Sequence, residues 1–241
     1  MRLSDFRALS FDCYGTLIDW DSGISAVLGP WAKDRGLDIS AEQLLATYAA
    51  KEAEVEAELP HELYPGILAE SFARVGVELG ASVSADDRER LATSVPDWPA
   101  FSDSAEALAS LHQYYQLIIL SNIDNASFAK SNTKLGVTFD AILTAEDIGS
   151  YKPAQRNFDV LSAHLRSVGL DQSQLLHVAE SLFHDHVPAQ RRGVRTVRIL
   201  RQQPKYGWGA TPRPTVDVEP HWEFASLAEF ARARAEDEHG S

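Results

Sequence analysis

Short apolar runs recur along this chain, and helical patterns separate most of them. The runs are RALSFDC (7–13), YQLIILSN (115–122), FDAILTA (139–145), QLLHVAE (174–180) and VRTVRIL (194–200). Because polar and apolar residues do not alternate in them, they are typical of strands that are covered on both faces. The helical patterns include 104–114 and 153–169, the second of which begins with Pro153 and ends with Gly169. This order predicts an α/β fold with a doubly wound parallel sheet, that is, a Rossmann-like core.

One long stretch interrupts the alternation of strands and helices. Residues 20 to about 98 contain helical patterns only, among them 40–59 and 64–79, before PDWPAF (96–101) leads back to the next strand pattern. Prolines in that return segment are typical of a boundary between two units of structure. We therefore predict a core of residues 1–17 and 99–241 and an inserted all-helical cap of residues 18–98.

Charge and cysteine content exclude several classes of partner. The formal net charge of -13 argues against nucleic acid and anionic membranes, which attract basic surfaces. The chain lacks an apolar run of the roughly 20 residues that a membrane-spanning helix needs. The single cysteine, Cys13, excludes an internal disulfide, and the first residues do not resemble a secretion signal. These features predict a cytoplasmic protein, and they leave a homodimer open.

Polar side chains lie at or beyond the ends of four predicted strands. In chain order they are Asp12, Ser121 with Asn122, Lys152, and Glu180 with Asp185. Each alone is explained equally well as a cap or a turn residue. Because the carboxyl ends of parallel strands meet at one edge of a sheet, where ligands bind in α/β proteins, the set together predicts a site for a small anionic substrate.

Four segments carry a resemblance to a known family. In order they are SFDCYGTLIDW, ILSNID, SYKP and HVAESLFHDHVPAQRRG. They resemble the haloacid dehalogenase superfamily of aspartate-nucleophile hydrolases, and they span nearly the whole predicted core. The cap matches that family only in its position and helical character.

The resemblance implies a role for each matching residue. Asp12 is expected to attack the substrate covalently, with Thr16 of the same motif among the catalytic residues. Ser121, Asn122 and Lys152 are expected to hold the substrate and the developing negative charge. Asp185 and Glu180 are expected to assist water or a metal ion, and Tyr14 is expected to contact the substrate.

Tyr14 bears on the type of reaction. Phosphatases of the superfamily carry a second aspartate two residues after the nucleophile, which protonates the leaving alcohol. A phenol with a pKa near 10 is a poor general acid at neutral pH. The Asp-x-Tyr-Gly-Thr-Leu form resembles the L-2-haloacid dehalogenase branch, in which halide leaves without a proton and water then cleaves the ester formed on Asp12. Lys152 is expected to lower the pKa of Asp12 and keep it ionised.

Several positions depart from the dehalogenase pattern. The arginine that grips the halide is expected in the first part of the cap, yet residues 42–58 contain no arginine. Phe158 and Ile123 stand where the family usually has Tyr and Gly. Glu180 and Leu182 stand where dehalogenases tend to have Ser and Asn.

The acidic residues of the predicted site leave open whether it binds a metal ion. Asp12, Glu180 and Asp185 face mainly Lys152, and such an excess of carboxylates favours Mg²⁺; alternatively, a backbone donor or an arginine such as Arg156 neutralises Glu180. We interpret HDH (184–186) as an ordinary polar stretch, since alternate residues of a helix do not face each other. Segment 201–222, with Tyr206 and Trp208, is predicted to pack at an edge or to cover the site.

Three functions remain. The first is a 2-haloacid dehalogenase that requires no cofactor, and Tyr14 favours it. The second is a Mg²⁺-dependent phosphatase of a small metabolite, which Glu180 favours. The third is a non-catalytic binding protein, which the nearly complete set of charged residues disfavours.

Overall fold

The fold is built on one parallel sheet. The computed structural model describes residues 1–201 and 216–239, in which six strands have the order β3-β2-β1-β4-β5-β6. The strands are β1 (Ala8–Phe11), β2 (Gln116–Ser121), β3 (Ala141–Thr144), β4 (Leu175–Ala179), β5 (Arg195–Ile199) and β6 (Trp222–Phe224). Phe11 of β1 lies opposite Ile119 of β2 and Val178 of β4, so β1 is central. The predicted doubly wound parallel sheet is confirmed.

Four α-helices follow β1 within residues 20–98, before the chain returns to the core. They are α1 (Trp20–Asp34), α2 (Ala41–Glu58), α3 (Tyr64–Glu78) and α4 (Ala85–Ala92). Ser40 and Ser84 begin α2 and α4 with reciprocal capping hydrogen bonds, which explains why these helices start where they do. Residues 20–98 contain no strand, so the helical insertion is confirmed. The exact boundaries at 17/18 and 98/99 stay a prediction.

The remaining helices cover the two faces of the sheet. They are α5 (Ser104–Leu111), α6 (Asn125–Leu135), α7 (Ala145–Ile148), α8 (Gln155–Ser167), α9 (Val187–Arg191) and α10 (Leu227–His239). Successive residues of β1 point to opposite faces, so Leu9 and Phe11 join one apolar core while Ala8 joins a second with Phe158 of α8. Every residue of β1 and β4 is buried, as expected for central parallel strands.

The two connections between the core and the insertion run side by side. Ile18 forms a β-bridge with Ala100, and the Asp19 N–H donates to the Pro99 carbonyl at 2.8 Å. Trp98 packs directly on Gly23 of α1, where an added Cβ would lie 2.4 Å from the indole ring. Only a glycine therefore permits this close contact between α1 and the return segment.

Two further points concern regions away from the site. None of the helices within 1–201 and 216–239 has the length and apolarity that crossing a membrane would need. Tyr206 and Trp208, for which we predicted edge packing or a cover over the site, lie outside the described residues.

Candidate active site

Asp12 lies directly after central strand β1, at the floor of a cleft between the sheet and the helical insertion. Its side chain is held at both oxygens: Lys152 Nζ donates to Oδ1 at 2.9 Å, and Thr16 Oγ1 donates to Oδ2 at 2.7 Å. Thr16 can reach back because the chain turns at Gly15, whose φ of +89 favours glycine. Asp12 is 7% exposed, so it is nearly enclosed but still reaches the cavity.

Lys152 is the centre of the charged network. Its ammonium group donates to Asp12, to Asp185 Oδ1 at 2.7 Å and to the Leu120 carbonyl at 2.9 Å, which uses all three of its hydrogens. Asn122 fixes the backbone of the same residue: its Oδ1 accepts from Lys152 N–H at 2.6 Å, and its Nδ2 donates to Lys152 O at 3.0 Å. The contacts of Asn122 are those of a residue that positions Lys152.

Asp185 is brought to Lys152 by an irregular segment after β4. Residues Leu182–His186 form a π-helical turn, a feature that is frequent at functional sites. Asp185 Oδ1 also contacts His177 Nε2 at 2.8 Å, and Ser10 Oγ contacts the opposite ring nitrogen at 2.8 Å. Its second oxygen, Oδ2, is buried without a hydrogen-bond partner among the described residues. Phe158 packs against the His177 ring at 5.4 Å.

The charges of this network shift its pKa values in different directions. Burial raises the pKa of Asp12, and the nearby Asp185 adds to this, while Lys152 and Thr16 oppose it. Lys152 lowers the pKa of Asp12 as expected, but burial outweighs the ion pair, so the net shift is upward. Burial also acts against the charged form of Asp185, but the contacts with Lys152 and His177 lower its pKa below the ordinary range.

Glu180 does not join the Asp12 network through Lys152. Its carboxylate pairs with Arg198 at 3.4 Å, and burial raises its pKa to about 7. Arg156, the partner that the sequence suggested, instead donates to the Ile148 carbonyl. Arg198 was missed because it follows in a different strand, β5.

The predicted magnesium ligands do not fit a metal site. Asp12 and Asp185 both bind the ammonium of Lys152, and Glu180 is paired with Arg198. Within 1–201 and 216–239, no group of three or more His, Cys, Asp or Glu side chains is placed to hold a metal ion. The positive charges beside these three carboxylates therefore come from Lys152 and Arg198.

Ser121 and Tyr14 face the same cavity with different surroundings. Ser121 is 2% exposed, and its Oγ has no hydrogen-bond partner in the part of the chain that the structure describes. Tyr14 OH pairs with Ser131 Oγ at 2.7 Å, and burial raises the pKa of Tyr14 well above 10. Ser121 thus has a free donor for a ligand, whereas Tyr14 is an even weaker acid than an exposed phenol.

The stretch HDH was wrongly interpreted as an ordinary polar segment. His184 lines the cavity and lies 3.9 Å from Glu56, while His186 is fully buried and contacts the Ala179 carbonyl. Burial lowers the pKa of both imidazoles to about 4, so both are neutral near pH 7. The two histidines make separate contacts and do not face each other; only their burial differs from that of an ordinary polar stretch.

The cavity measures about 670 Å³, and α2 supplies part of its wall. Glu52 and Glu56 of α2 are buried there, although the sequence marked neither of them. Their spacing of four residues places both on one helix face, but an alternation of Ala and Glu is equally typical of an exposed helix. Helix α2 thus brings acids to the cavity, and it contains no arginine.

Glu52 makes the stability of the protein depend on pH. Burial raises its pKa to about 7, against hydrogen bonds from Tyr64 and Tyr48 that lower it. The folded protein then keeps a proton that the unfolded chain releases between pH 4.5 and 7, so stability falls as the pH rises through this window. Because Gln carries no such proton, the free energy of unfolding of Glu52→Gln should fall by up to about 3 kcal/mol less than that of wild type across this window.

Urea unfolding at about pH 5 and about pH 8 measures this effect. The control is Glu54→Gln, which removes an exposed charge from the same helix. Equal pH dependence in Glu52→Gln and wild type would contradict the assignment.

Comparison with known proteins decides the family. A profile of haloacid dehalogenase-like hydrolases matches residues 6–179, a range that includes Asp12, Ser121 and Lys152. This chain is a haloacid dehalogenase-like hydrolase. The resemblance drawn from the four motifs is confirmed, and so is the assignment to the hydrolases.

Individual relatives of this hydrolase include dehalogenases. (S)-2-haloacid dehalogenase 4A of Burkholderia cepacia is 28% identical over 229 residues, which cover 91% of this chain and 95% of the relative. The L-2-haloacid dehalogenase of Xanthobacter autotrophicus, solved with chloropropionic acid covalently bound, is 20% identical with a TM-score of 0.74, covering 94% of this chain and 97% of that one. A putative hydrolase of Bacillus subtilis, solved with magnesium, is 17% identical with a TM-score of 0.73, covering 98% and 100%. Both structures share the fold, so the fold alone does not select the reaction.

Proposed function

We propose that this hydrolase cleaves the carbon–halogen bond of a 2-haloacid, with Asp12 as nucleophile and without a metal ion. The contact of Asp12 with Lys152 at the floor of an enclosed cavity carries the proposal. Tyr14 in place of a second acid supports a leaving group that needs no proton. The dehalogenase from Burkholderia cepacia supports the same reaction.

The reaction has two steps. An oxygen of Asp12 attacks C2 of the substrate, the carbon–halogen electron pair leaves with the halide, and an ester of Asp12 forms. Water then attacks the ester carbonyl, the 2-hydroxy acid leaves with one proton, and the second proton passes to solvent as Asp12 is restored. Lys152 balances the charge of Asp12 before the attack and after the ester is hydrolysed.

Other residues of the network bind or orient. Ser121 Oγ, which has no partner among the described residues, donates a hydrogen bond to the substrate carboxylate. Asp185 Oδ2, also without a partner there, accepts one from the attacking water. Thr16 and Asn122 hold Asp12 and Lys152 in place. A small anionic substrate satisfies these donors; a homodimer stays a prediction.

A Mg²⁺-dependent phosphatase is the alternative that Glu180 suggested in the sequence, although the pairing of Glu180 with Arg198 disfavours it. A panel of 2-haloacids and phosphate monoesters, each assayed with Mg²⁺ and with EDTA, separates the two. We expect release of halide from 2-chloropropionate at equal rates in both conditions. Hydrolysis of phosphate monoesters only with Mg²⁺, with no 2-haloacid consumed, would replace the first candidate by the second.

Replacing Tyr14 tests whether a proton donor is needed. Because halide leaves as an anion, Tyr14→Phe should keep kcat/KM for 2-chloropropionate within about tenfold of wild type, a barrier change below about 1.4 kcal/mol. The lost hydrogen bond to Ser131 should lower stability by about 1 kcal/mol. Steady-state halide release and urea unfolding measure the two effects. A fall in kcat beyond about a hundredfold in the folded variant would make Tyr14 a proton donor.

A further inference from the structure

Two buried carboxylates of α2 form the cap side of the cavity. Glu52 and Glu56 are 7% and 5% exposed. Glu52 accepts a hydrogen bond from Tyr64 OH at 2.8 Å, and both oxygens of Glu56 accept from Asn122 Nδ2 at 3.2 and 3.1 Å. All of these partners are neutral, so neither carboxylate gains a counter-charge from them.

Lys152 and Arg201 line the cavity, and both contact other protein groups. Lys152 binds Asp12, Asp185 and the Leu120 carbonyl. Arg201 donates to Asp103 at 2.7 Å and to the Thr16 carbonyl at 2.8 Å, and it lies over the Phe101 ring. Its Nη2 is buried without a hydrogen-bond partner among the described residues. The lining also contains further acids at Asp19, Asp21, Glu42 and Glu180. The described part of the lining therefore has more acidic than basic groups, which disfavours a ligand with negative charge at both ends.

The carboxylate of the ligand has a hydrogen-bond donor of its own. Ser121 Oγ, buried and without a partner among the described residues, lines the same cavity at the end of β2. A hydroxyl donor there suits a carboxylate. The cavity volume of about 670 Å³ lies in the range of pockets that enclose drug-sized ligands, far larger than a three-carbon acid.

We propose that Glu56 and Glu52 select a 2-haloacid with a longer chain whose far end carries an ammonium group. The inference rests on the proposed function, because the reacting end is the 2-haloacid of that reaction. An ammonium offers three donors and the positive charge that the acid pair lacks, and hydrogen bonds between charged groups are about twice as strong as neutral ones. Burial, with the charge of Glu52 nearby, raises the pKa of Glu56 well above its ordinary value, as expected for carboxylates without a cation.

Binding of two unreactive probes tests the selection without requiring turnover. The probes are 6-aminohexanoate and heptanoate, which have the same length and differ in an ammonium against a methyl group. Isothermal titration calorimetry on the wild type should show at least about tenfold tighter binding of 6-aminohexanoate. Equal or tighter binding of heptanoate, or no binding of 6-aminohexanoate at millimolar concentration, would overturn the inference.

Variants of α2 assign the preference to the acid pair. Glu56→Gln should reduce the ratio of the two affinities by about tenfold, and Glu52→Gln should reduce it in the same direction. Glu54→Gln, which removes an exposed charge from the same helix, should keep the wild-type ratio. Because Glu56 also contacts Asn122, the ratio rather than either affinity is the readout, and Glu52→Gln stands in if Glu56→Gln does not fold.

Failure of this inference differs from failure of the proposed function. If the wild type releases halide from 2-chloropropionate but binds both probes alike, the dehalogenase function stands and the preference for an ammonium group is rejected. If the wild type prefers 6-aminohexanoate but consumes no 2-haloacid, the cavity binds an ammonium group and the dehalogenase function is rejected.

Discussion

Asp12→Asn should lose at least about 10⁴-fold in kcat/KM for a 2-haloacid, a barrier increase of about 5.4 kcal/mol, while the protein remains folded. An amide oxygen is a far weaker nucleophile than a carboxylate, so the first step fails. Stability should change little, because Lys152 keeps its contacts with Asp185 and the Leu120 carbonyl and the buried charge of Asp12 is removed. Halide release measures activity, and near-ultraviolet circular dichroism with urea unfolding measures the fold.

Isotope labelling tests the covalent step directly. In a single turnover in ¹⁸O-water, the label should enter the Asp12 carboxylate, which mass spectrometry of the peptide around residue 12 detects. Asp38→Asn, an exposed substitution of the same kind, is the control and should behave as wild type. Label found only in the product after the first turnover, or activity retained by folded Asp12→Asn, would remove Asp12 from the role of nucleophile.

Lys152→Met should abolish activity and also destabilise the protein, by about 3–5 kcal/mol. The side chain is 1% exposed and is the cation between Asp12 and Asp185. Without it, two buried carboxylates face each other with only neutral donors and His177 nearby. Urea unfolding near neutral pH measures the loss, and halide release measures activity.

A double variant separates the charge of Lys152 from its packing. Lys152→Met with Asp185→Asn removes one of the stranded charges, so it should recover part of the stability that Lys152→Met loses, without restoring activity. This recovery is expected because removal of one partner of a buried ion pair costs more than removal of both. If the double variant is no more stable than Lys152→Met, the loss reflects packing and not the unpaired carboxylates.

Local sequence determined the fold and the floor of the site. The runs that do not alternate specified buried parallel strands, because the residues at both faces of such strands must be apolar. The carboxyl ends of parallel strands lie at the same edge of a sheet, whatever the conformation of the loops. The positions of Asp12, Ser121 and Lys152 along the chain were therefore enough to predict that they meet. The helical character of residues 20–98 followed from periodicity and from cap residues such as Ser40 and Ser84.

Only the tertiary structure decided which charges meet. Arg198 rather than Arg156 pairs with Glu180 because neighbouring strands bring them together, and no sequence spacing encodes that contact. The π-helical turn brings Asp185 to Lys152 and buries His186. Burial also reverses the direction in which the pKa of Asp12 moves. In the sequence, Glu52 and Glu56 resemble exposed glutamates of a surface helix. They belong to the site only because the cap lies over the carboxyl edge of the sheet and buries them. Desolvation at that edge is what shifts the pKa of each buried group.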